Sequence, residues 1–297
     1  MAESTCLYTM KETADGHGLF ARDVIKAGVR IIREKSVISV PREEARTKQE
    51  YLCVTSQVSQ LSPDDRRRLM ELYHNPKKLR EFSFLQGQPC PGTDLDSGIV
   101  LAKFYTNAAS IASQSYECGL FATFCRMNHS CTPNTCWVYD EPTGMMEVYT
   151  ARDIDKDEEI TNSYIEVACS RQARARELSN WGFTCNCPAC NGPDAAKHDV
   201  RRRRIVQLKE LLEIYQDAGE NGEKPRFAEV PKTDLEALEL GEESIALLQE
   251  EGLIEQLGIV YGWCAKFAHS AGLDKMADEY EEKEYEILVL TTGEYVE

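Results

Sequence analysis

Residues 183–190 read FTCNCPAC and put Cys185, Cys187 and Cys190 in a C-x-C-x2-C array. Three thiols this close lie within reach of one ion, and zinc takes four such ligands in a tetrahedron at ~2.3 Å. The alternative, an exposed cluster of three free thiols, would oxidise readily. A metal is the expected occupant, and it constrains the fold because one ligand is missing. Within the next few residues only His198 has the right chemistry, so the fourth ligand comes from there or from a distant part of the fold. The opening residues MAESTCLYTMKETADG carry neither a basic head before an apolar stretch nor an arginine-rich amphipathic pattern, and the chain is therefore expected in the cytosol or nucleus. There the other eight of the twelve cysteines, Cys6, Cys53, Cys90, Cys118, Cys125, Cys136, Cys169 and Cys264, read as thiols filling small apolar spaces.

A chain of 297 residues with 42% hydrophobic and 28% charged residues has the composition of an ordinary globular protein, divided into two lobes at this length. No apolar run approaches the ~20 residues needed to cross a bilayer. The net charge of −16 is unevenly spread. Residues 205–297 hold 7 Lys+Arg against 23 Asp+Glu, while residues 1–204 hold 27 of each. This step in charge predicts a boundary near NGPDAAKHDVRRRR and argues against a nucleic-acid backbone as partner of the last third.

Residues 5–40 read as short strands and turns, broken at Gly16, Gly18 and Gly28. From Pro41 the pattern turns charged and helix-forming, with Pro41 at a first helical position, SPDD as a second start signal, and GIVLAKFYTNAASIAS continuing the helical spacing. CWVYDEPTGMMEVYTARDIDKDEEITNSYI alternates like strands around a turn at DEPTG. Beyond Cys190 the chain reads as helical, with a turn at Ala271-Gly272. Gly262, Ala265 and Ala268 are spaced for close packing of an antiparallel helix pair of the tetratricopeptide kind, with a simple helical lobe as the equal alternative.

The segment FCRMNHSCTPNTC crowds polar side chains behind apolar ones, and DGHGLFARDVIKAG carries a G-x-G with no helix after it. Without that helix a dinucleotide site is excluded. On spacing alone Gly16 and Gly18 read as a turn, or else as a place where the main chain approaches a ligand.

Taken together and in order, GHGLFA, FCRMNHSCTPN, DEEITNSYI and WGFTCNCPAC resemble the four signature blocks of SET-domain protein lysine methyltransferases, most similar to the SMYD branch. The resemblance covers residues ~5–192. It implies an α+β fold: a SET-type β fold with its pseudoknot, a helical insertion, a zinc-bound post-SET segment and a C-terminal helical, tetratricopeptide-like lobe. The implied divisions are 1–40 and 116–168 for the two parts of the SET domain, 41–115 for the insertion, 169–194 for the zinc segment and 195–297 for the acidic lobe. It also implies S-adenosylmethionine as cofactor, contacted by main-chain groups of His17, Gly18 and Leu19 and by Asn107, Asn128, His129, Tyr164 and Phe183. Tyr164 matches the catalytic tyrosine, Trp181 and Phe183 line a lysine channel with it, and Cys131 becomes the fourth zinc ligand. The family usually has tyrosine where Trp181 stands. The MYND finger of the SMYD branch cannot be built here, since residues 41–95 offer only Cys53, Cys90 and His74. The expected activity is methyl transfer to lysines of a protein substrate, histone or non-histone, by a monomer without nucleic-acid or membrane partners. The alternative is a weakly active SET-fold scaffold.

Overall fold

The computed structural model describes residues 6–13, 16–45, 49–111, 113–220, 227 and 229–293. Residues 1–5, where the reading of the N-terminus begins, lie outside them. Four strands open the chain: β1 (Tyr8–Thr13), β2 (Gly16–Ala21), β3 (Arg30–Lys35) and β4 (Ile38–Pro41). Four helices follow, α1 (Glu50–Gln57), α2 (Pro63–Glu71), α3 (Pro76–Glu81) and α4 (Ser97–Asn107). The strands resume as β5 (Ala109–Ser110), β6 (Tyr116–Leu120), β7 (Asn128–His129), β8 (Thr135–Asp140), β9 (Met145–Thr150) and β10 (Glu159–Asn162). The rest is helical: α5 (Arg171–Leu178), α6 (Pro188–Asn191), α7 (Ala195–Glu220), α8 (Asp234–Glu251), α9 (Ile254–Ser270) and α10 (Asp274–Thr292).

Three small sheets form, in the orders β1-β2-β10-β7, β3-β9-β8 and β4-β6-β5. The hairpin β8-β9 turns at DEPTG as its alternation predicts, and Ser62 caps α2 through its hydroxyl with Pro63 at the first helical position. Two expectations fail at the ends of the insertion. Pro41 does not start a helix; it closes β4 opposite Tyr116, and α1 begins only at Glu50. Strand β4 is an edge of its sheet, where a residue without an N–H is tolerated. Likewise the helical spacing from Gly98 ends at Asn107, because Ala109 and Ser110 pair with Gly119 and Cys118.

The apolar side chains gather in three cores. One lies in the β barrel-like centre, around Leu19, Ile32, Phe121, Met127, Val148 and Ile160. A second joins the insertion to β4 and β6, with Val54, Leu69, Val100 and Phe104 against Val40 and Leu120. The third joins Cys131, Val167, Cys185 and Cys190 to Leu238, Leu248, Leu257 and Val260 of α8 and α9. The cysteine segment and the helical lobe thus share one core, and each leucine or valine buried there is worth ~1.5–3 kcal/mol. Helices α9 and α10 fold back on each other, and at Gly262 the Glu284 carboxylate lies 2.4 Å from where a Cβ would stand, so a larger residue would displace that side chain.

Candidate functional site

Strand β10 is inserted between β2 and β7, antiparallel to the first and parallel to the second. The sheet so formed joins β2 to two segments more than a hundred residues further along the chain. Glu159 pairs with Phe20, Ile160 with Leu19, Thr161 with Asn128 and Asn162 with His129. Because side chains alternate along strands, Gly18, Phe20, Glu159, Thr161 and Asn128 share one face, and Leu19, Ile160 and His129 the other. On the first face Asn128 donates from Nδ2 to Glu159 Oε1 at 2.7 Å. Gly18 is no turn residue: a Cβ there would lie 2.3 Å from Glu159 Oε1 and 2.9 Å from Asn128 Nδ2. The missing side chain lets an amide and a carboxylate lie directly against the β2 backbone, a setting suited to a cationic amino-acid group approaching the main chain. His17 is exposed and Leu19 buried, although both point to the same face of β2, because Leu19 pairs with β10 while His17 pairs with β1 alone.

On the other face His129 is a junction. Its Nδ1 accepts from the Tyr164 backbone N–H at 3.1 Å, which leaves the proton on Nε2, 3.3 Å from Cys131 Sγ. Burial pushes the imidazole down to about 4, so the ring is neutral at physiological pH. Tyr164 donates its hydroxyl to Met127 O at 2.7 Å, and burial raises the phenol above its ordinary value and keeps it protonated. Its ring stands 5.5 Å from Trp181 and 6.3 Å from Phe183, the latter edge-on, and His129 lies 6.1 Å from Phe183. The three rings of His129, Trp181 and Phe183 therefore surround the Tyr164 side chain.

Cys131, Cys185, Cys187 and Cys190 bring their sulfurs within 4.8 Å of one another. The Cys131 sulfur is 3.9 Å from that of Cys185 and 3.5 Å from that of Cys190. A tetrahedron with metal–sulfur bonds of ~2.3 Å has edges of about 3.8 Å, so the four thiols fit one metal ion. His198 is not a ligand; its Nδ1 lies 2.9 Å from the Glu251 carboxylate. Arg174, fully buried, donates from Nη2 toward Cys190 Sγ at 3.6 Å. Arg202, also fully buried, donates to the carbonyls of Cys131 and Val167 and to Glu251 at 2.8–2.9 Å.

Asn107 belongs to the helical insertion. It ends α4 and commits both amide hydrogens, to Tyr73 O at 2.8 Å and Lys103 O at 2.7 Å. The insertion reaches the aromatic group through a different residue. Asn75 is 4% exposed and donates to Asn180 O at 2.7 Å, fixing the chain just before Trp181. Sequence reasoning missed Asn75, Glu159, Arg174, Arg202 and Glu251. Arg202 sits in a run of four arginines that reads as a solvated boundary, and nothing local distinguishes it. For Glu159 the alternation of DEEITN against GHGLFA carried a signal, since it puts Glu159 and Gly18 on one face.

The SET domain family model matches residues 16–165. The chain belongs to the SET-domain family. Over 87 residues it is 42% identical to the histone-lysine N-methyltransferase SET5 of Meyerozyma guilliermondii, covering 28% of this chain and 18% of that protein. It is 26% identical to the histone-lysine N-methyltransferase set5 of Schizosaccharomyces pombe, over 66% of this chain and 51% of that one. With the N-lysine methyltransferase SMYD2-A of Danio rerio it shares 27% identity over 48% of this chain and 34% of the other. The chain thus spans about half or less of the length of these relatives. No helix among the described residues is long and apolar enough to cross a membrane.

Proposed function

We propose that this chain transfers methyl groups from S-adenosylmethionine to lysine side chains of a protein substrate, with zinc held by Cys131, Cys185, Cys187 and Cys190. The observation that carries this reading is that the Tyr164 hydroxyl is anchored on Met127 O, next in the chain to Asn128, whose amide lies against the β2 backbone at Gly18. Main-chain groups of His17, Gly18 and Leu19, with Asn128, His129, Tyr164 and Phe183, would hold the cofactor. Asn107 has only its Oδ1 left to offer. When bound, S-adenosylmethionine supplies a methyl carbon activated by its sulfonium.

The protein's own residues then have three tasks. Rings of Tyr164, Trp181 and Phe183 would take an entering lysine out of water, and this desolvation lowers its pKa so that the ammonium gives its proton to solvent and leaves the free amine. The Tyr164 hydroxyl, anchored on Met127 O, turns its lone pairs to the amine and aligns it for in-line attack. His129 couples the Tyr164 backbone to a metal ligand, so the zinc segment sets where that hydroxyl stands. The relatives named histone-lysine N-methyltransferases make histone tails the first substrates to try, in the nucleus, with other proteins bearing lysine in a basic segment next.

Incubation of the full chain with radiolabelled S-adenosylmethionine and either histones or whole-cell protein should label lysine. Tyr164→Phe should lower kcat by about 100-fold and leave cofactor Kd within about threefold. Cofactor binding without label in any protein would leave a binding scaffold and overturn the activity.

A further inference from the structure

From the contact between Glu159, Asn128 and Gly18, and resting on the cofactor reading above, we infer that Glu159 is the positioning residue of the cofactor site, holding Asn128 with its amide oxygen toward the cofactor's α-ammonium. A carboxylate only accepts hydrogen bonds, so a short contact to an asparagine amide fixes which end of that amide faces it. At 2.7 Å, Glu159 Oε1 takes Nδ2. The Asn128 Oδ1 is thereby turned the other way, and no hydrogen bond among the described residues engages it. An ammonium needs an acceptor and an amide hydrogen would repel it, so an asparagine free to flip would present the wrong group half of the time. Gly18 completes the device: Glu159 Oε1 and Asn128 Nδ2 lie 2.3 and 2.9 Å from where its Cβ would stand, so a side chain there would push the Glu159 carboxylate out of its present place. The pairing is also built into the fold: register places Glu159 and Asn128 on one face of adjacent strands, two residues out of step.

The same geometry has a rival account in which the Glu159 carboxylate stands in for the cofactor's own carboxylate against the β2 backbone, and the two accounts differ in sign. Two variants separate contact from charge. Glu159→Gln removes the charge and keeps an acceptor at the same reach, and a bound ammonium selects the rotamer in which that acceptor, not the added amide donor, faces Asn128 Nδ2; Glu159→Asp keeps the charge and withdraws it by one methylene. Calorimetric titration of the full chain with S-adenosylmethionine and with S-adenosylhomocysteine, which share the ammonium, is the measurement. Glu159→Gln should stay within about threefold of the wild-type Kd for both ligands, and Glu159→Asp should weaken both by about tenfold, the scale of one lost hydrogen bond to a charged-group acceptor. Weakening confined to Glu159→Gln, equal weakening in both, no change in either, or tighter binding in either would overturn the positioning role while the cofactor reading stands. Failure of the wild-type protein to bind either ligand would instead remove the cofactor reading and the inference with it.

Discussion

At the scale of single residues the site depends on what Gly18 lacks. A methyl group there would meet Glu159 Oε1 and Asn128 Nδ2 well inside contact distance, and these side-chain ends would have to swing aside and give up the bond between them. Gly18→Ala should therefore cost ~1–3 kcal/mol by overpacking and weaken S-adenosylmethionine at least tenfold. Thermal unfolding and calorimetry read the two effects separately. An alanine variant of wild-type affinity would mean that the close approach is not part of the cofactor site. This glycine illustrates a limit of local reading. Its spacing from Gly16 suggested a turn, and only the sheet partners revealed a mid-strand position whose Cβ volume is occupied by others.

At the scale of elements, the segment between α5 and α6 carries the aromatic wall and two of the four thiols, with a third in α6. It is short, has little regular structure, and is pinned at one end by Asn75 and at the other by the sulfurs. Cys187, the half-buried ligand, can be changed with least disturbance of packing. Cys187→Ser should lose the metal, measured as one zinc per wild-type chain and none in the variant by elemental analysis. The backbone from Asn180 to Phe183 should then exchange its amide hydrogens faster, since a structural zinc site contributes its binding energy to local order. Wild-type protein that contains no zinc would sink the metal assignment. The insertion α1–α4 was legible as helical, but its ends were not, because strand pairing with β6 overrode local propensity at Pro41 and at Ala109.

At the scale of the whole molecule, the acidic lobe is tied to the metal segment by buried charge. Glu251 ends α8 with its side chain wholly buried against Arg202, with Arg201 and His198 beside it. Burial alone would raise its pKa, but the hydrogen bonds from Arg202, Arg201 and His198 outweigh this and hold it below the ordinary value of 4.5. A carboxylate with a lowered folded pKa contributes stability that is complete above its ordinary value and disappears as pH falls through the folded one. Stability should fall below pH 4.5 in the wild type, and Glu251→Gln should flatten that part of the profile. It should also cost ~3–5 kcal/mol at neutral pH, because Arg202 would be left buried without its partner. Chemical denaturation between pH 3 and pH 7 tests both, and an unchanged profile would show that the network is not a stabilising link. Glu279, Glu281 and Glu282 on α10 are exposed, and if their field draws basic substrates the effect must fade with salt, since screening sets in over ~8 Å at physiological ionic strength. The kcat/KM for a basic lysine peptide should drop more steeply with salt than that for a neutral one, and reversing these three charges should remove the difference. Equal salt slopes would leave the lobe without a part in substrate attraction.

The sequence by itself determined the chemistry and the local forms. Four motifs in order identified the family, the C-x-C-x2-C spacing announced a metal short of one ligand, and periods of two and 3.6 separated the strands from the helices. These are signals carried by residues within a few positions of each other. Which side chains meet was decided by the tertiary structure alone. Asn128 and Glu159 are 31 residues apart, Asn75 and Asn180 105, and Arg202 and Glu251 49. Whether an arginine in a run of four is solvated or fully buried depends on the helix laid over it, because a charge enters a core only when partners from other elements pair with it. No residue near Arg202 in the chain records that partner.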